Sequence, residues 1–406
     1  MKKNWLKSLG PGLLFAGAAI GVSHLVQSTR AGADFGFGLL WALMLVNLFK
    51  YPFFQYGPRY ATATGESLID GYKRLGKGVL LIYYFLTFAT MFTIQAAVTI
   101  VTAGLAANLF GFTTDITAWS IIITIICFAT LLIGKYKLLD NLIKVIIVVL
   151  TLSTIIAVSV AVFSTTKSYN FIQVIPEGAL EIGFLIAFLG WMPAPLDISA
   201  WHSLWAIEKK KDMKDGFETK QAIIDFNIGY VGTVFLAICF LSLGALVMYQ
   251  SGNEFSGSAG KFAQQIINLY TENLGSQTSI FIAIAAFTTM FSTTLTTLDA
   301  SPRAMAKSTE LLFNRTNRST YLIWIIILAL GTILILTFFI SNMITMIKIA
   351  TILSFLTAPF YAIANFILIS SKHTPKEWHP SMAMKILSYL GIIFLIGFSV
   401  WYLMNL

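Results

Sequence analysis

The chain has 406 residues, of which 57% are hydrophobic and only 11% are charged, and its formal net charge is +9. Average globular chains carry roughly 25% charged residues, so this composition excludes an ordinary soluble domain. The two cysteines, Cys127 and Cys239, both lie in apolar runs, which excludes a disulfide framework.

Apolar runs of about 20 residues, long enough to cross a hydrocarbon core of about 30 Å, recur along the whole chain. Lys2, Lys3 and Lys7 precede the first run as in a signal peptide. Pro11 opens that run, however, and no small-residue cleavage site follows, so we predict a transmembrane helix there. Each run is expected to be helical, because exposed strand edges would leave backbone groups unpaired in lipid. The predicted spans are approximately 11–29, 35–57, 79–106, 115–133, 143–163, 178–205, 224–249, 278–300, 321–340, 343–370 and 384–404.

Basic residues are concentrated in alternate loops, and the opposite set of loops holds only Arg30, Lys167 and Lys261. Because basic residues collect on the cytoplasmic side, we predict a multi-pass protein of the cell (plasma or inner) membrane with a cytoplasmic N-terminus and an external C-terminus. The positive charge is therefore a sign of topology, and we expect a lipid bilayer but no nucleic acid as partner. The segment "EKKKDMKDGFETK" (208–220) is predicted to be a cytoplasmic loop.

Two of the predicted spans are interrupted. Span 1 contains "GVSH" (21–24), and span 6 contains Pro193 and Pro195 in mid-run. Helical rise places Gly21 about 16 Å and Met192 about 21 Å from the membrane faces at which their spans begin, so both breaks are expected near mid-membrane. Proline removes a helical donor, and such breaks are tolerated where they line a cavity.

Spans 1 and 6 would each begin a five-span half, and paired interruptions in two halves indicate a transporter site. We predict one all-α polytopic membrane domain over 1–406 with eleven transmembrane helices. Ten of them form a LeuT-like 5+5 inverted repeat with broken helices 1 and 6. Repeat 1 covers about 10–163, repeat 2 about 178–370, and the extra helix 384–404.

Several motifs resemble the Nramp family of proton-coupled divalent metal transporters, which have the LeuT fold. They are "GPGLL" (10–14), "AGADFGFGLLW" (31–41), "TGESLIDGYKR" (64–74), the Met-Pro pair at 192–193 and, in weaker form, "LSFLTAPF" (353–360). Aligned through "AGADFG", the family's Asp-Pro-Gly-Asn metal motif falls on "GVSH". The family's carboxylate ligand is replaced by Gly21 and its Asn ligand by His24. The His that the family links to proton handling is replaced by Ala194, so we predict weak or absent proton coupling.

The resemblance implies a metal site around the two breaks. Gly21 and Ser23 would offer backbone carbonyls, and the Leu189 carbonyl matches a family ligand position. His24 is either a ligand or proton carrier, or a structural residue bonded to a carbonyl of a neighbouring helix. Met192 is either a soft sulfur ligand or core filling.

Two further charged residues lie inside predicted spans. Asp197 is either the N-cap of the restarted helix 6 or a replacement for the missing negative charge. For Lys50, snorkelling to an interface is the favoured explanation, and replacement of a bound cation is the alternative.

We predict a secondary transporter that moves manganese- or iron-type divalent ions by alternating access; we expect no enzyme activity, no resident cofactor and a monomer. The absence of a close carboxylate is a strong argument against a divalent cargo. The alternative is therefore an Nramp-fold transporter for a small organic or monovalent substrate. A membrane sensor ranks last, because no large output domain is found in the sequence.

Overall fold

The computed structural model describes residues 10–133, 136–164, 171–212, 217–249, 255–314, 319–339 and 342–405. All the longer regular elements in these ranges are helices. The helices are α1 (Pro11–Ala19), a π-helical segment (Ser23–Ser28), α2 (Thr29–Phe35), α3 (Leu40–Thr64), α4 (Leu68–Leu75), α5 (Lys77–Phe110), α6 (Ile116–Ile133), α7 (Tyr136–Ser164), α8 (Ala179–Trp191), α9 (Ile198–Asp212), α10 (Thr219–Val247), α11 (Ala259–Leu274), α12 (Ser279–Phe313), α13 (Ser319–Leu334), a second π-helical segment (Ile335–Phe339), α14 (Met343–Ser370) and α15 (Met382–Met404).

Helices lie over all eleven predicted spans, which agrees with the predicted all-helical membrane protein. By length and composition alone, seven single helices of the described residues can cross a membrane, and the bent pair at the start of the chain adds an eighth. Helix α3 falls outside that group because it carries polar residues such as Asn47 and Lys50 in its middle. These residues are buried inside the protein, so the helix does not present them to lipid.

Both predicted helix breaks are confirmed. The axis bends by 46° between Pro11–Ala19 and Ser23–Phe35. Helix α8 ends at Trp191 and α9 begins at Ile198, so the interruption contains both Pro193 and Pro195. The π-helical segment after the first break contacts α8, and α1 contacts α9. The two broken helices therefore lie against each other.

Two helices were missed and one loop was wrongly predicted. Helix α4 starts with a capping box between Ser67 and Asp70. Helix α11 buries one face, including Phe262, Ile266 and Tyr270, and leaves Lys261 exposed. Such one-sided helices do not produce a long apolar run, so a search for membrane spans passes over them. The predicted loop 208–220 is also shorter, because α9 continues to residue 212 and α10 starts at residue 219.

The start of α1 is attached to α10 at close range. The Asp225 carboxylate accepts hydrogen bonds from the backbone N–H of Gly10 at 3.1 Å and of Gly12 at 2.7 Å. A Cβ on Gly12 would lie 2.1 Å from the Asp225 carbonyl oxygen, so only glycine allows this approach. The negative charge also lies at the helix N-terminus, where the helix dipole stabilises it.

The predicted membrane orientation and the division into two repeats stay predictions. Some of the basic residues behind the orientation lie outside the described residues or have side chains that do: Lys2, Lys3, Lys7, Lys135, Lys137, Lys144, Lys167, Lys214, Arg315 and Arg318.

Candidate functional site

A cavity of about 20 Å³ lies where the two helix breaks meet α5 and α12. A buried water needs a cavity of roughly 10–15 Å³, so this cavity has room for one water molecule or one ion of similar size. The lining residues are Ala18, Ala19, Val22, Ser23, Ile94, Val98, Trp191, Ala194, Pro195, Ile198, Trp201, Thr293 and Thr297.

The polar atoms of this lining are neutral. The Ser23 hydroxyl donates to the Ala19 carbonyl at 2.5 Å, and the Thr297 hydroxyl donates to Gln95 Oε1 at 2.5 Å. The Thr293 hydroxyl is less firmly bound, because its three carbonyl contacts, to Gly17, Ile20 and Thr289, are 3.2–3.5 Å long. Among the described residues, no carboxylate belongs to the lining.

His24 is fully buried, and both of its ring nitrogens have partners. Nε2 lies 2.9 Å from the carbonyl of Thr233 in α10, while Nδ1 lies 2.8 Å from the Ser23 hydroxyl and 3.0 Å from the Ala19 carbonyl. A carbonyl only accepts, so Nε2 is the donor in the contact with Thr233. The ring therefore joins helix 1 to α10, as the structural alternative describes, and would have to leave these bonds to bind a metal.

Two of the three predicted carbonyl ligands, those of Gly21 and Leu189, also have partners. The Gly21 carbonyl accepts from the backbone N–H of His24 at 3.1 Å and of Leu25 at 2.9 Å. The Leu189 carbonyl accepts from the ammonium group of Lys50 at 2.7 Å. The side chain of Lys50 is fully buried, so the snorkelling explanation for this residue is wrong.

Met192 lies in the break of helix 6 and is fully buried in the core. Its Sδ receives a hydrogen bond from the Ser28 hydroxyl at 3.9 Å, a long contact even for sulfur. Ser28 belongs to the π-helical segment, so the thioether faces helix 1. It is not part of the cavity lining.

Asp197 is buried at the start of α9, and its Oδ1 has no hydrogen-bond partner. Asp197 directly precedes α9, the sequence position of an N-cap, but the N–H groups of Ser199 and Ala200 donate to the backbone carbonyls of Leu196 and Asp197. The Asp197 side chain interacts electrostatically with Lys50 of α3 and Tyr83 of α5.

Of the predicted site residues, Ser23 lines the cavity. The others do not belong to its lining: Gly21, His24, Leu189, Met192 and Asp197. In the described part of the chain, no three His, Cys, Asp or Glu side chains form a group that could hold a metal.

The hydroxyl groups of α12 were missed by sequence reasoning. Their signal is the segment "TTMFSTTLTTLD" (288–299), which places hydroxyl groups on a membrane helix at the predicted depth of the site.

The sequence matches the family model described as "Nramp: Natural resistance-associated macrophage protein-like" over residues 12–405. The chain belongs to the Nramp family. An uncharacterized protein of Pasteurella multocida (strain Pm70) is 36% identical over 413 residues, which cover 99% of this chain and 94% of that protein.

Two solved structures show the same fold at low sequence identity. A mutant of the Eremococcus coleocola manganese transporter has a TM-score of 0.75 and 15% identity, covering 98% of this chain and 86% of that one. The structure of MhsT in complex with L-phenylalanine has a TM-score of 0.64 and 13% identity, covering 96% of this chain and 98% of that one. The Nramp protein has the LeuT-like fold and is a multi-pass membrane transporter, not an enzyme.

Proposed function

We propose that this Nramp protein is a secondary transporter that moves a divalent transition-metal ion by alternating access. The cavity between the two helix breaks is the closed position of the cargo. Family membership over residues 12–405 supports metal-ion transport. The observation that carries the proposal is the size of the cavity, about 20 Å³, at the meeting point of both interruptions.

The size of the cavity favours an ion over an organic molecule. Pockets for small organic ligands have volumes of roughly 300–1,000 Å³. The cavity would accept one ion or one water, and an amino acid would require a much wider opening of the two breaks. A monovalent ion would also fit, so the size of the cavity alone supports a monovalent and a divalent ion equally.

The proposal assigns the ligands to two groups. Ser23, Thr293 and Thr297, which line the cavity, each carry a hydroxyl group. The other predicted ligands, Gly21, His24, Leu189 and Met192, would reach the ion only after the breaks move and their present hydrogen bonds open. Asp197 would supply negative charge on the inner half of helix 6.

Uptake of manganese into proteoliposomes tests this proposal, with a metal-quenched dye inside the vesicles. The Eremococcus coleocola relative is a manganese transporter by its name, so manganese is the first ion to examine. Thr293→Val keeps the shape of the side chain and removes its hydroxyl. We expect an increase in KM of about tenfold, corresponding to about 1.4 kcal/mol.

Thr288→Val is the matched control, because Thr288 lies on the same helix, is only partly buried and bonds to the Ile284 carbonyl. Its uptake should equal that of the wild type. Uptake by the wild type no faster than in empty vesicles would contradict the proposal.

One observation favours the second candidate, a monovalent or small organic substrate. The positive charge of Lys50 lies at the Leu189 carbonyl, where it would repel a divalent ion. Calorimetry separates the candidates. Heat of manganese binding to the wild type supports the divalent cargo, whereas no heat at millimolar manganese favours the second candidate.

A further inference from the structure

Lys50 makes three contacts at the break of helix 6. Its Nζ lies 2.7 Å from the carbonyl oxygen of Leu189, 2.8 Å from that of Gly190 and 3.4 Å from that of Ala194. Leu189 and Gly190 belong to the last turn of α8, and Ala194 lies in the interruption. The lysine comes from α3, and its side chain is completely buried.

The contacts fit a charged ammonium group. Carbonyl oxygens only accept hydrogen bonds, and –NH₃⁺ has three N–H donors for the three of them, whereas a neutral amine has two. The last four carbonyls of a helix lack partners within it and form the negative end of its dipole. The Asp197 side chain interacts electrostatically with Lys50. The break therefore forms a complete cation site inside the protein.

This cation site shares an atom with the predicted cargo site. The Leu189 carbonyl matches a ligand position of the family, and the Lys50 ammonium already bonds to it at 2.7 Å. A cargo ion bound to the same oxygen would lie within a few ångströms of the ammonium charge. Both cations cannot share this carbonyl at low energetic cost in a buried site.

We propose that Lys50 is a tethered cation. Its ammonium group occupies the cation position at the break of helix 6, joins the end of α8 to the interruption, and removes Leu189 from the ligands of the cargo. The last part rests on the proposed transport function. The occupation of the site by an ammonium group does not, and can be measured in the absence of any metal.

Chemical rescue tests the proposal. Lys50→Ala removes the propylammonium portion of the side chain and leaves the carbonyls of Leu189 and Gly190 unpaired. In detergent, with a chelator and with choline as the buffer cation, we expect the Tm to fall by at least about 5 °C. Propylammonium at tens of millimolar should restore at least half of the loss. Tetramethylammonium has the charge but no N–H donor, and it should restore none.

Two further variants keep the test decisive. Lys50→Met fills the space without donors, so its Tm should fall and propylammonium should not raise it. Lys348→Ala is the matched control, because Lys348 is a partly buried lysine of α14 whose ammonium packs over Gly183. Its Tm should not respond to the amine. If Lys50→Ala is recovered folded only when propylammonium is present during purification, that also supports the proposal.

A wild-type Tm for Lys50→Met, or equal responses of Lys50→Ala and Lys348→Ala to the amine, would overturn the tethered cation. These results do not depend on transport. Rescue by propylammonium together with no manganese uptake by the wild type would support the tethered cation and contradict the proposed cargo. Manganese uptake by the wild type, together with no rescue of Lys50→Ala by propylammonium, would support the proposed cargo and contradict the tethered cation.

Discussion

The imidazole of His24 contacts its own helix through Nδ1 and α10 through Nε2. A histidine at bilayer depth is a strong candidate for function, yet here each nitrogen has a partner in the protein. The Ser23 hydroxyl, which donates to the Ala19 carbonyl, also lies 2.8 Å from Nδ1. Of the two alternatives for His24, these contacts agree with the structural one.

A carboxylate introduced at Gly21 tests whether this residue faces the metal site. A Cβ on Gly21 would lie 2.9 Å from Thr293 Oγ1 and 3.0 Å from its Cγ2, so Gly21→Asp alone should be strained. Thr293→Ala removes both atoms. We expect Gly21→Asp with Thr293→Ala to bind manganese at least about tenfold more tightly than Thr293→Ala alone, by calorimetry. Equal affinities would show that residue 21 does not face the cargo.

His202 leads to a stability prediction. Both of its ring nitrogens are buried without hydrogen-bond partners, and its ring packs 5.6 Å from that of Phe15 and 5.7 Å from that of Phe226. An unpaired buried polar group costs about 1–3 kcal/mol, so His202→Phe should raise the Tm by a few degrees. His379→Phe is the control. Its Nε2 lies 3.0 Å from the Thr374 carbonyl, and its Tm should fall. A fall in the Tm of His202→Phe would show that the imidazole has a polar partner.

At the scale of elements, the first half of each broken helix is held at one end by a charged group from another helix. Asp225 of α10 binds the first N–H groups of α1, and Lys50 of α3 binds the last carbonyls of α8. The charge signs are those that the helix dipole favours at each end. Helix ends inside a membrane protein lack water, so side chains of neighbouring helices must satisfy them.

We predict that Asp225→Asn lowers the free energy of unfolding by about 2–3 kcal/mol, because a charge-assisted bond to buried N–H groups is lost. The exposed cap Asp115, whose Oδ1 accepts from Thr117 and Ala118 N–H, is the matched control. Asp115→Asn should cost no more than about 1 kcal/mol. Denaturant titration of both variants measures the difference, and equal costs would contradict a special role for the start of α1.

At the scale of the whole molecule, the predicted direction in which the chain crosses the membrane can be tested by labelling. The distribution of basic residues predicts that residue 212 faces the cytoplasm and residue 258 the outside. Asp212→Cys and Ser258→Cys should react with an impermeant thiol reagent from opposite sides. Cys127 and Cys239 are buried, so the background should be low. Labelling of both sites from one side would contradict the predicted topology.

Sequence alone determined the fold class and the positions of the two helix breaks, because these depend on local chemistry. The lengths of the apolar runs follow from the thickness of a bilayer, and Pro193 with Pro195 must interrupt a helix wherever it packs. The motifs of residues 10–74 were sufficient to indicate the family. The amphipathic α11 was missed because its apolar face depends on a partner surface.

Only the tertiary structure decided what each polar side chain of the site touches. The position of Lys50 along α3 fits snorkelling, and that of His24 fits a ligand. Which way a side chain points depends on how each helix is rotated about its axis, and packing between distant helices sets that rotation. Lys50 reaches the carbonyl of Leu189, a residue 139 positions away in the chain, and His24 reaches that of Thr233, 209 positions away. A buried polar atom takes the partner that the packed helices present to it, and no local pattern in the sequence specifies that partner.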